Sequence, residues 1–456
     1  MNHNPYSALT ASDREAMLRT LGINSVEALL SAISTNLRVR GHLDLPAPMT
    51  EWELDVHMRE LAAQNRTTRS TLSFLGGGAY EHHVPAVVDA LSDRGEFLTS
   101  YTPYQPDMSQ GSLQVIAEYQ YVMGELLGVP VVNASSYDGA TALADALAMA
   151  CAANRSDRAH IALADTLWPQ SRMIVDTHLT ARRRSITTVP CGATGQLDVA
   201  ELERVFRDRA PIAFAFQSPN MFGVLEEIEP IARLCCQYSV TSILHYHPLL
   251  SGLFVPPGRL GIDIVCGDGQ GLGNYLYAGG PSLGFLGCQQ SLAPYIPGRL
   301  VGSTQAPDGT LRYQLVCEER EQHVAREKAT SNICSNQALC AMRAVFYLSL
   351  LGDAGLQDLA ERNAKLARSF CGRLCSIPGF ERVFGGPFFN EFFLQLPCPA
   401  SSLLARLREH GVYGGIDGIL FGRSNTLLVA VTETKTLKQL EAAFSAFLAC
   451  TRPRAA

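Results

Sequence analysis

The sequence predicts an α/β protein whose large domain is built on a mainly parallel sheet, with a helical arm before it and a smaller α+β domain after it. Between residues 160 and 244, short apolar runs alternate with amphipathic helical segments, which is the pattern of βαβ units. Residues 1–70 carry only helix signals, and the pattern changes again near residue 337. We therefore predict an arm at 1–70, a large domain at 71–336 and a small domain at 337–456.

Composition and charge restrict the classes of protein to which the chain can belong. Of the 456 residues 47% are hydrophobic and 18% are charged, which is typical of globular proteins. A net charge of −6 gives no support to nucleic-acid binding. We see no apolar run long enough to cross a bilayer, and the first ten residues lack the pattern of a signal peptide. These features predict a cytoplasmic protein without nucleic-acid or membrane partners.

The predicted arm contains two helices that begin with capping boxes. Ser12–Glu15 and Thr50–Glu53 both have the pattern in which a hydroxyl residue is followed three positions later by Glu. The first helix should end at Gly22. The second places Leu54 and Leu61 on one face, so we expect it to pack on a partner subunit or on the chain's own domain.

A segment rich in Gly, Tyr, Pro and Gln follows the arm, from Phe74 to Gly111. The glycines Gly76–Gly78 allow positive φ angles and close approach to another surface. The prolines of Tyr101–Pro106 exclude helix there and stiffen the segment. It is either a polar recognition loop or a packed loop whose hydroxyls are satisfied internally. The side chains that would take part in recognition are Tyr101, Tyr104, Gln105 and Gln110.

In the large domain the sequence then predicts helices that alternate with strands. A helix over 112–127 ends at Gly128, and Asp138 can cap a second helix over 139–153. The small hydroxyl residues before Asp138 make that helix N-terminus a natural anion site. The predicted strands are 160–164, 185–189, 212–216 and 241–244, and the predicted helices are 171–179, 199–207 and 228–238.

A glycine-rich segment, Gly267–Gly273, resembles a dinucleotide-binding loop only superficially. Asn274 stands where the last glycine of that motif is needed, and no βα unit precedes it. We interpret it as a site loop paired with Ala278–Pro281. In the small domain we predict helices over 337–350, 354–375 and 402–410, strands over 388–396 and 427–431, and a final helix.

Three groups of residues could carry chemistry without any reference to relatives. Glu81–His83 is either a proton-transfer site or a solvated turn. His245 and His247 share a strand face, but no third ligand is in view, so we predict no metal site. The 13 cysteines include no CxxC pair, so we expect most of them, Cys334 included, to be buried and structural.

Several longer strings are similar to the glycine-cleavage P-protein family, and specifically to its N-terminal-type subunit in organisms that split the protein in two. They run in the same order over almost the whole chain. The strings are FLGGGAYEHHVPAVV, EFLTSYTPYQPDMSQGSLQ, NASSYDGATALADA, GDGQGLG with GGPSLGF, REKATSNICSNQAL, GGPFFNEF, and GVYGGI with LLVAVTET.

The resemblance implies the fold-type-I arrangement of pyridoxal-phosphate enzymes, whose cofactor requires a Schiff-base lysine late in the large domain. The matching region, 263–285, contains no lysine. His247 lies where the family usually shows a Val-Asp-Pro triplet, so the Asp that faces the pyridine nitrogen is also missing. We predict that this chain holds no pyridoxal phosphate alone and that the cofactor lies on a second subunit. The contrary hypothesis is a stand-alone enzyme that uses Lys328.

The resemblance also implies the reaction and the partners. The partners would be the pyridoxal-phosphate-bearing second P-protein subunit, in a heterodimer or heterotetramer, and the lipoyl carrier H-protein. The assembly would decarboxylate glycine and transfer the aminomethyl group to the lipoyl arm. From this chain, residues of two matching motifs would line a shared site: Tyr101, Thr102, Tyr104, Gln105, Ser331, Asn332, Cys334 and Asn336.

Other interpretations stay open at this point. Asn332 and Asn336 are equally well explained as helix-capping residues. Gly271 and Tyr275 stand where Ser and Pro are more usual in the family, which would suit a specialised relative that acts on another small amino acid. A non-catalytic scaffold that stabilises its partner is the remaining alternative.

Overall fold

The computed structural model describes residues 6, 8–39, 41, 43–68, 70–98, 100–154, 160–181 and 184–451. The chain divides into two compact units, Met1–Arg66 and Thr67–Ala456. Residues 1–5 and 7, which belong to the stretch that argued against a signal peptide, lie outside the described residues.

The first unit contains the two predicted helices and a short helix between them. The helices are α1 (Ala11–Leu21), α2 (Val26–Leu29) and α3 (Glu51–Ala63). The capping box at Thr50 and Glu53 is confirmed, and α1 ends at Gly22 with a φ of 67°. The predicted box at Ser12–Glu15 is wrong, because the cap of α1 is Thr10, which is paired with Asp13. Both registers fit the sequence pattern, so the pattern alone could not choose between them.

The second unit contains all the other elements. Its first part comprises β1 (Leu72–Ser73), α4 (Ala86–Ser92), α5 (Gly95–Leu98), α6 (Gln110–Leu127), β2 (Val131–Val132), α7 (Gly139–Ala153), β3 (His160–Ala164), α8 (Pro169–Ala181), β4 (Ser185–Val189), α9 (Val199–Asp208), β5 (Ala213–Ser218), α10 (Ile228–Gln237), β6 (Thr241–Tyr246), β7 (Ile264–Asp268) and β8 (Gly284–Cys288). Its second part comprises β9 (Leu300–Gln305), β10 (Leu311–Val316), α11 (Gln322–Ala325), α12 (Ala338–Leu374), β11 (Glu381–Arg382), β12 (Glu391–Gln395), α13 (Ala400–Glu409), β13 (Val412–Tyr413), β14 (Ile416–Asp417), β15 (Thr426–Ala430) and α14 (Leu437–Thr451).

The central sheet has seven strands in the order β2-β8-β7-β6-β5-β3-β4. Strands β3 to β7 are parallel to their neighbours, whereas β8 is antiparallel to β7 and β2 is antiparallel to β8. The predicted mainly parallel sheet is therefore confirmed. Its inner strands are buried along almost their whole length, as expected for a sheet covered on both faces.

Helix α7 lies against the centre of this sheet, and eleven of its fifteen residues are buried. Its Ala-rich sequence provides the small side chains that such close packing requires. Its first residue, Gly139, lies at the sheet edge where β6 and β7 end, because the backbone N–H of Gly139 donates to the carboxylate of Asp268. Ligands of open α/β sheets bind at this edge. It is therefore the place to examine for a cofactor.

A second, smaller core lies around a four-stranded sheet of order β11-β12-β15-β14, which packs with α13, α14 and the end of α12. The two helices predicted over 337–375 form one span, α12, which is interrupted at Gly352 with φ 59° and ψ −173°. Its first part packs in the core of the large sheet and its last part in the smaller core. Helix α12 therefore joins the two cores.

By length and composition alone, α12 could cross a membrane, which the sequence analysis did not predict. Half of its most apolar window is buried inside the structure. Arg343, on this helix, is buried and forms an ion pair with Asp89 at 2.7 Å. These are the properties of a helix that spans a protein core.

Candidate functional site

The loop over residues 101–106 is largely exposed and is anchored by one phenol. Tyr101 is 85% exposed, and the side chains of Thr102 and Gln105 are exposed too. Tyr104 is half-buried, and its hydroxyl donates a 2.7 Å hydrogen bond to the side-chain oxygen of Asn336. Two of the predicted site residues, more than 200 positions apart, therefore meet directly.

The second predicted motif, Ser331–Asn336, lies against the residues that precede α7. The backbone N–H of Cys334 donates to the hydroxyl of Tyr137 at 3.2 Å. The N–H of Gln337 donates to Ser135 Oγ at 2.9 Å. The hydroxyl residues ahead of α7 thus hold this segment in place, and they are not directed at an anion.

Arg299 completes the cluster, although the sequence analysis did not identify it. Its guanidinium carbon lies 4.0 Å from the centre of the Tyr104 ring, and one of its nitrogens donates to the carbonyl of Cys334 at 3.2 Å. Arg299 therefore contacts Tyr104 and Cys334, and Asn336 joins the cluster through its bond to Tyr104. Nothing in the local sequence of Arg299 distinguishes it from the chain's other arginines, so only the tertiary fold could identify it.

The other predicted residues are not brought into this cluster. Within the described part of the chain, Tyr101, Thr102 and Gln105 make no side-chain hydrogen bond to the Ser331–Asn336 segment. Asn332 lies in a separate open cleft of about 600 Å³. Cys334 is exposed, so the expectation that it is buried is wrong, because it lies on a connecting segment whose backbone, and not its thiol, is held by Tyr137 and Arg299. All 13 cysteines are free.

Carboxylates occupy the N-terminus of α7, where a fold-type-I enzyme would hold the cofactor phosphate. Asp138 accepts a hydrogen bond from the N–H of Thr141 at 2.7 Å. Asp268, at the end of β7, accepts from the N–H of Gly139 at 3.0 Å, from the N–H of Gln270 at 2.9 Å and from the hydroxyl of Ser282 at 2.6 Å. The N–H groups of Gly139 and Thr141 are therefore already used by side chains of this chain, which leaves fewer donors there for a phosphate.

His245 fills the space beside these carboxylates. A Cβ added at Gly139 would lie 2.9 Å from Nε2 of His245, so the ring packs directly against the first residue of α7. Burial lowers the pKa of His245 to about 4. The ring is therefore neutral near pH 7 and provides no cation for a phosphate.

None of the four lysines lies on the connection between β7 and β8. Lys328 and Lys438 are exposed on other segments, and Lys365 pairs with Glu361 on the surface of α12. Lys435 is buried, but its ammonium pairs with Glu81 at 2.8 Å. The residues at the cofactor position therefore do not fit pyridoxal phosphate.

A buried polar network links the glycine-rich loop that contains Gly76–Gly78 to the smaller core. Glu391, at the start of β12, accepts from the Tyr80 hydroxyl at 2.9 Å and from the backbone N–H of Gly77 at 2.8 Å. Glu433, after β15, accepts from His82 at 2.9 Å and from the N–H of His83 at 2.7 Å. Burial raises the pKa of Glu391 to about 7. Burial also acts to raise the pKa of Glu433, but the charge and hydrogen bond of His82 outweigh it and bring that pKa to about 2.

This network contradicts one of the two interpretations of Glu81–His83, the solvated turn. The segment is not a solvated turn, since His82 is 7% exposed and its neighbours bind residues of the smaller core. Gly76 shows how closely the loop approaches that core, because a Cβ there would lie 2.1 Å from a Glu391 oxygen. The geometry assigns this segment to the joining of the two cores.

His245, on β6, and His247, directly after it, have no third metal-ligating group beside them in the described part of the chain. Among the described residues no three His, Cys, Asp or Glu side chains are grouped so that they could hold a metal ion. His247 instead packs its ring against Tyr80 and Phe389, with centroids 5.4 Å apart in both cases. Burial lowers the pKa of His247 to about 3.

Comparisons with known proteins assign nearly the whole chain to one family. Residues 4–447 match the family model described as "Glycine cleavage system P-protein". The "Probable glycine dehydrogenase (decarboxylating) subunit 1" of Chlorobium chlorochromatii is 41% identical over 98% of this chain and 99% of its own length. The protein of the same name from Moorella thermoacetica is 40% identical over 97% and 98%.

Comparison with solved structures shows which fold the chain adopts. A crystal structure of glycine decarboxylase (P-protein) of the glycine cleavage system, in inhibitor-bound form, aligns with a TM-score of 0.89 and 36% identity, over 98% of this chain and 100% of that chain. A Lactobacillus brevis glutamate decarboxylase aligns with a TM-score of 0.68 at 12% identity, over 92% and 96%, which shows the fold alone. The predicted fold-type-I arrangement is confirmed.

Proposed function

Because the chain belongs to the glycine cleavage system P-protein family, we propose that it is the cofactor-free subunit of a two-subunit glycine decarboxylase. The family places it in an enzyme of the oxidoreductase class that cleaves glycine. The name "subunit 1" carried by its relatives implies a second subunit. One observation carries the assignment of the cofactor to that second subunit: Asp138, Asp268 and His245 take up the position where this chain would otherwise bind it.

In this proposal the assembly decarboxylates glycine and transfers the remaining aminomethyl group to the lipoyl arm of a carrier protein. The second subunit supplies the pyridoxal phosphate. This chain supplies a wall of the shared site, formed by the loop over 101–106 and the segment over 331–336, and it excludes water there. Tyr101, Thr102 and Gln105 suit this role because their side chains are exposed on a loop whose base is held by Tyr104. We include a cytoplasmic location in the proposal.

A scaffold without a direct part in the site is the second candidate. It is favoured by the fact that the cofactor position of this chain is occupied by its own side chains. The two candidates differ for Tyr101→Phe and Asn332→Ala, which keep the chain folded because both side chains are exposed. A loss of turnover in an intact complex supports the shared site, whereas normal turnover in both variants supports the scaffold.

The test of the proposal is an absorbance spectrum of the purified chain with added pyridoxal phosphate, before and after addition of the second subunit. We expect no borohydride-reducible chromophore on this chain alone and a glycine-dependent spectral change only in the mixture. Lys328→Ala is the matched control, and its spectra should equal those of the unsubstituted chain. A reducible chromophore on the isolated chain that Lys328→Ala removes would replace the proposal with a stand-alone enzyme.

A further inference from the structure

We propose that Arg299, together with Asn336, is an oxyanion-binding site of this chain that faces the shared active site. The ligand class is a carboxylate or a phosphate monoester. In the assembly these are the carboxylate of the amino-acid substrate and the phosphate of the cofactor on the second subunit. The inference rests on the proposed function for its ligand, but it rests on the geometry of this chain for the site itself.

The guanidinium of Arg299 is held in one orientation. It stacks over the Tyr104 ring at 4.0 Å, and a single nitrogen is used in the bond to the carbonyl of Cys334. Stacking on an aromatic face fixes the plane of a guanidinium while its edges stay available. Arg299 therefore presents further N–H groups in a fixed fork, which is the arrangement that binds planar oxyanions.

No carboxylate among the residues that the structure describes lies within 4.0 Å of the Arg299 nitrogens, and Glu321, whose charge reaches Arg299, is already paired with Arg320. Comparable arginines of the chain are paired: Arg320 pairs with Glu321 at 3.2 Å, and Arg343 pairs with Asp89 at 2.7 Å. A half-buried guanidinium whose remaining N–H groups donate to no described residue is costly to keep in that position. An anion supplied from outside would remove that cost.

Asn336, which is bonded to the same Tyr104 on which Arg299 stacks, adds a second donor. Its side-chain oxygen accepts from Tyr104, which leaves its amide nitrogen buried and without an acceptor. Helix α12 begins two residues later, and no side chain caps its first N–H groups. The cluster thus contains N–H donors without acceptors and the positive charge of Arg299. An oxyanion would accept from these donors and neutralise this charge.

The site is placed where a partner could deliver the ligand. The loop that carries Tyr104 exposes Tyr101 at 85% and Met108 at 79%, and Cys334 is exposed on the other side of the cluster. Arg299 acts here as a binding residue, and the reaction itself needs no proton from it.

The experiment compares Arg299→Gln and Arg299→Lys, with Arg312→Gln as the matched control, because Arg312 is an exposed arginine on β10. The isolated chains are titrated with inorganic phosphate and with acetate by calorimetry. We expect weak binding to the unsubstituted chain and to Arg312→Gln, no binding to Arg299→Gln, and partial binding to Arg299→Lys, which keeps the charge but not the fork. Equal thermal unfolding midpoints show that each variant is folded.

The complex with the second subunit then distinguishes the two ligands. If the ligand is the substrate carboxylate, Arg299→Gln raises KM for glycine about tenfold or more and leaves the affinity for pyridoxal phosphate unchanged, since a lost charge-assisted bond is worth at least one decade. If the ligand is the cofactor phosphate, the affinity for pyridoxal phosphate falls by that factor instead. Unchanged values of both, with no anion binding to the isolated chain, would overturn the site. A complex that never turns over glycine would overturn the proposed function, while the anion titration would still decide the site.

Discussion

At the residue scale, two buried glutamates have opposite pKa shifts for reasons that their partners explain. Glu433 receives the charge and hydrogen bond of His82, so its pKa falls to about 2 although burial acts in the other direction. Its carboxylate stabilises the fold above the usual pKa of 4.5, and that contribution is lost as the pH falls from 4.5 towards 2. Glu391 has only neutral donors, so burial dominates and raises its pKa to about 7. The protonated carboxyl of Glu391 is the form that the fold favours. Its contribution to the stability of the fold is therefore complete below pH 4.5 and is lost as the pH rises towards 7.

Glu391→Gln tests this difference. The substitution removes the proton that folding takes up, so the variant should lose less stability than the unsubstituted protein between pH 5 and pH 7. The difference is at most about 3 kcal/mol, because the window from pH 5 to pH 7 spans two pH units at about 1.36 kcal/mol each. Urea unfolding at both pH values measures it, and the exposed Glu381→Gln is the control. Identical pH dependence in Glu391→Gln and the unsubstituted protein would show that Glu391 does not titrate there.

At the element scale, α12 shows what a single backbone position does. Gly352 adopts φ 59° and ψ −173°, a region that residues with a Cβ avoid, and it interrupts a span of 37 residues. No other atom lies within 4 Å of where a Cβ would stand, so the requirement for glycine comes from the backbone and not from packing. The interruption lies between the part of the helix in the large core and the part in the smaller core.

Gly352→Ala should therefore destabilise the protein by about 1–3 kcal/mol, the cost of an unfavourable backbone conformation. Gly372→Ala is the matched control on the same helix, where the space is open and no positive φ is required. It should stabilise the protein by about 0.5–1 kcal/mol, because alanine favours helix. Equilibrium unfolding in urea measures both, and shifts of the same sign would contradict this account of the interruption.

At the scale of the whole second unit, two hydrophobic cores are joined by α12 and by the glycine-rich loop. Phe74 stacks on Phe370 at 4.9 Å in the smaller core, and the polar network of Tyr80 and His82 follows it directly. The loop continues to the exposed tip at Tyr101. The surface that we propose for the second subunit is therefore held by a segment that both cores fix in place.

Hydrogen exchange of the chain with and without the second subunit tests this surface. We expect slower exchange over 101–106 and 331–336 when the second subunit is present, because both segments would line the shared site. Exchange in α7 should stay unchanged, since that helix is already buried. A mixture that forms a stable complex but leaves both segments unprotected would show that the interface lies elsewhere.

The sequence by itself predicted most of the secondary structure and the absence of a cofactor lysine. The bounds of α7 and β3 and the end of α6 agree with the prediction. Apolar periodicity, Asp138 as the cap of α7 and Gly128 as the stop of α6 are all local signals. The choice of cap at Thr10 was wrong, since two overlapping local patterns compete there. The family followed from long strings in a fixed order, which need no coordinates.

Only the tertiary structure decided which polar groups meet. Asp268 and Gly139 are 129 positions apart, and Glu433 and His82 are 351 positions apart, so no local pattern could pair them. The structure also placed Arg299 beside Tyr104 and separated Asn332 from Asn336, although the sequence treated those two asparagines alike. Secondary structure depends on neighbours along the chain. A site depends on neighbours in space, and the packing of the two cores determines those.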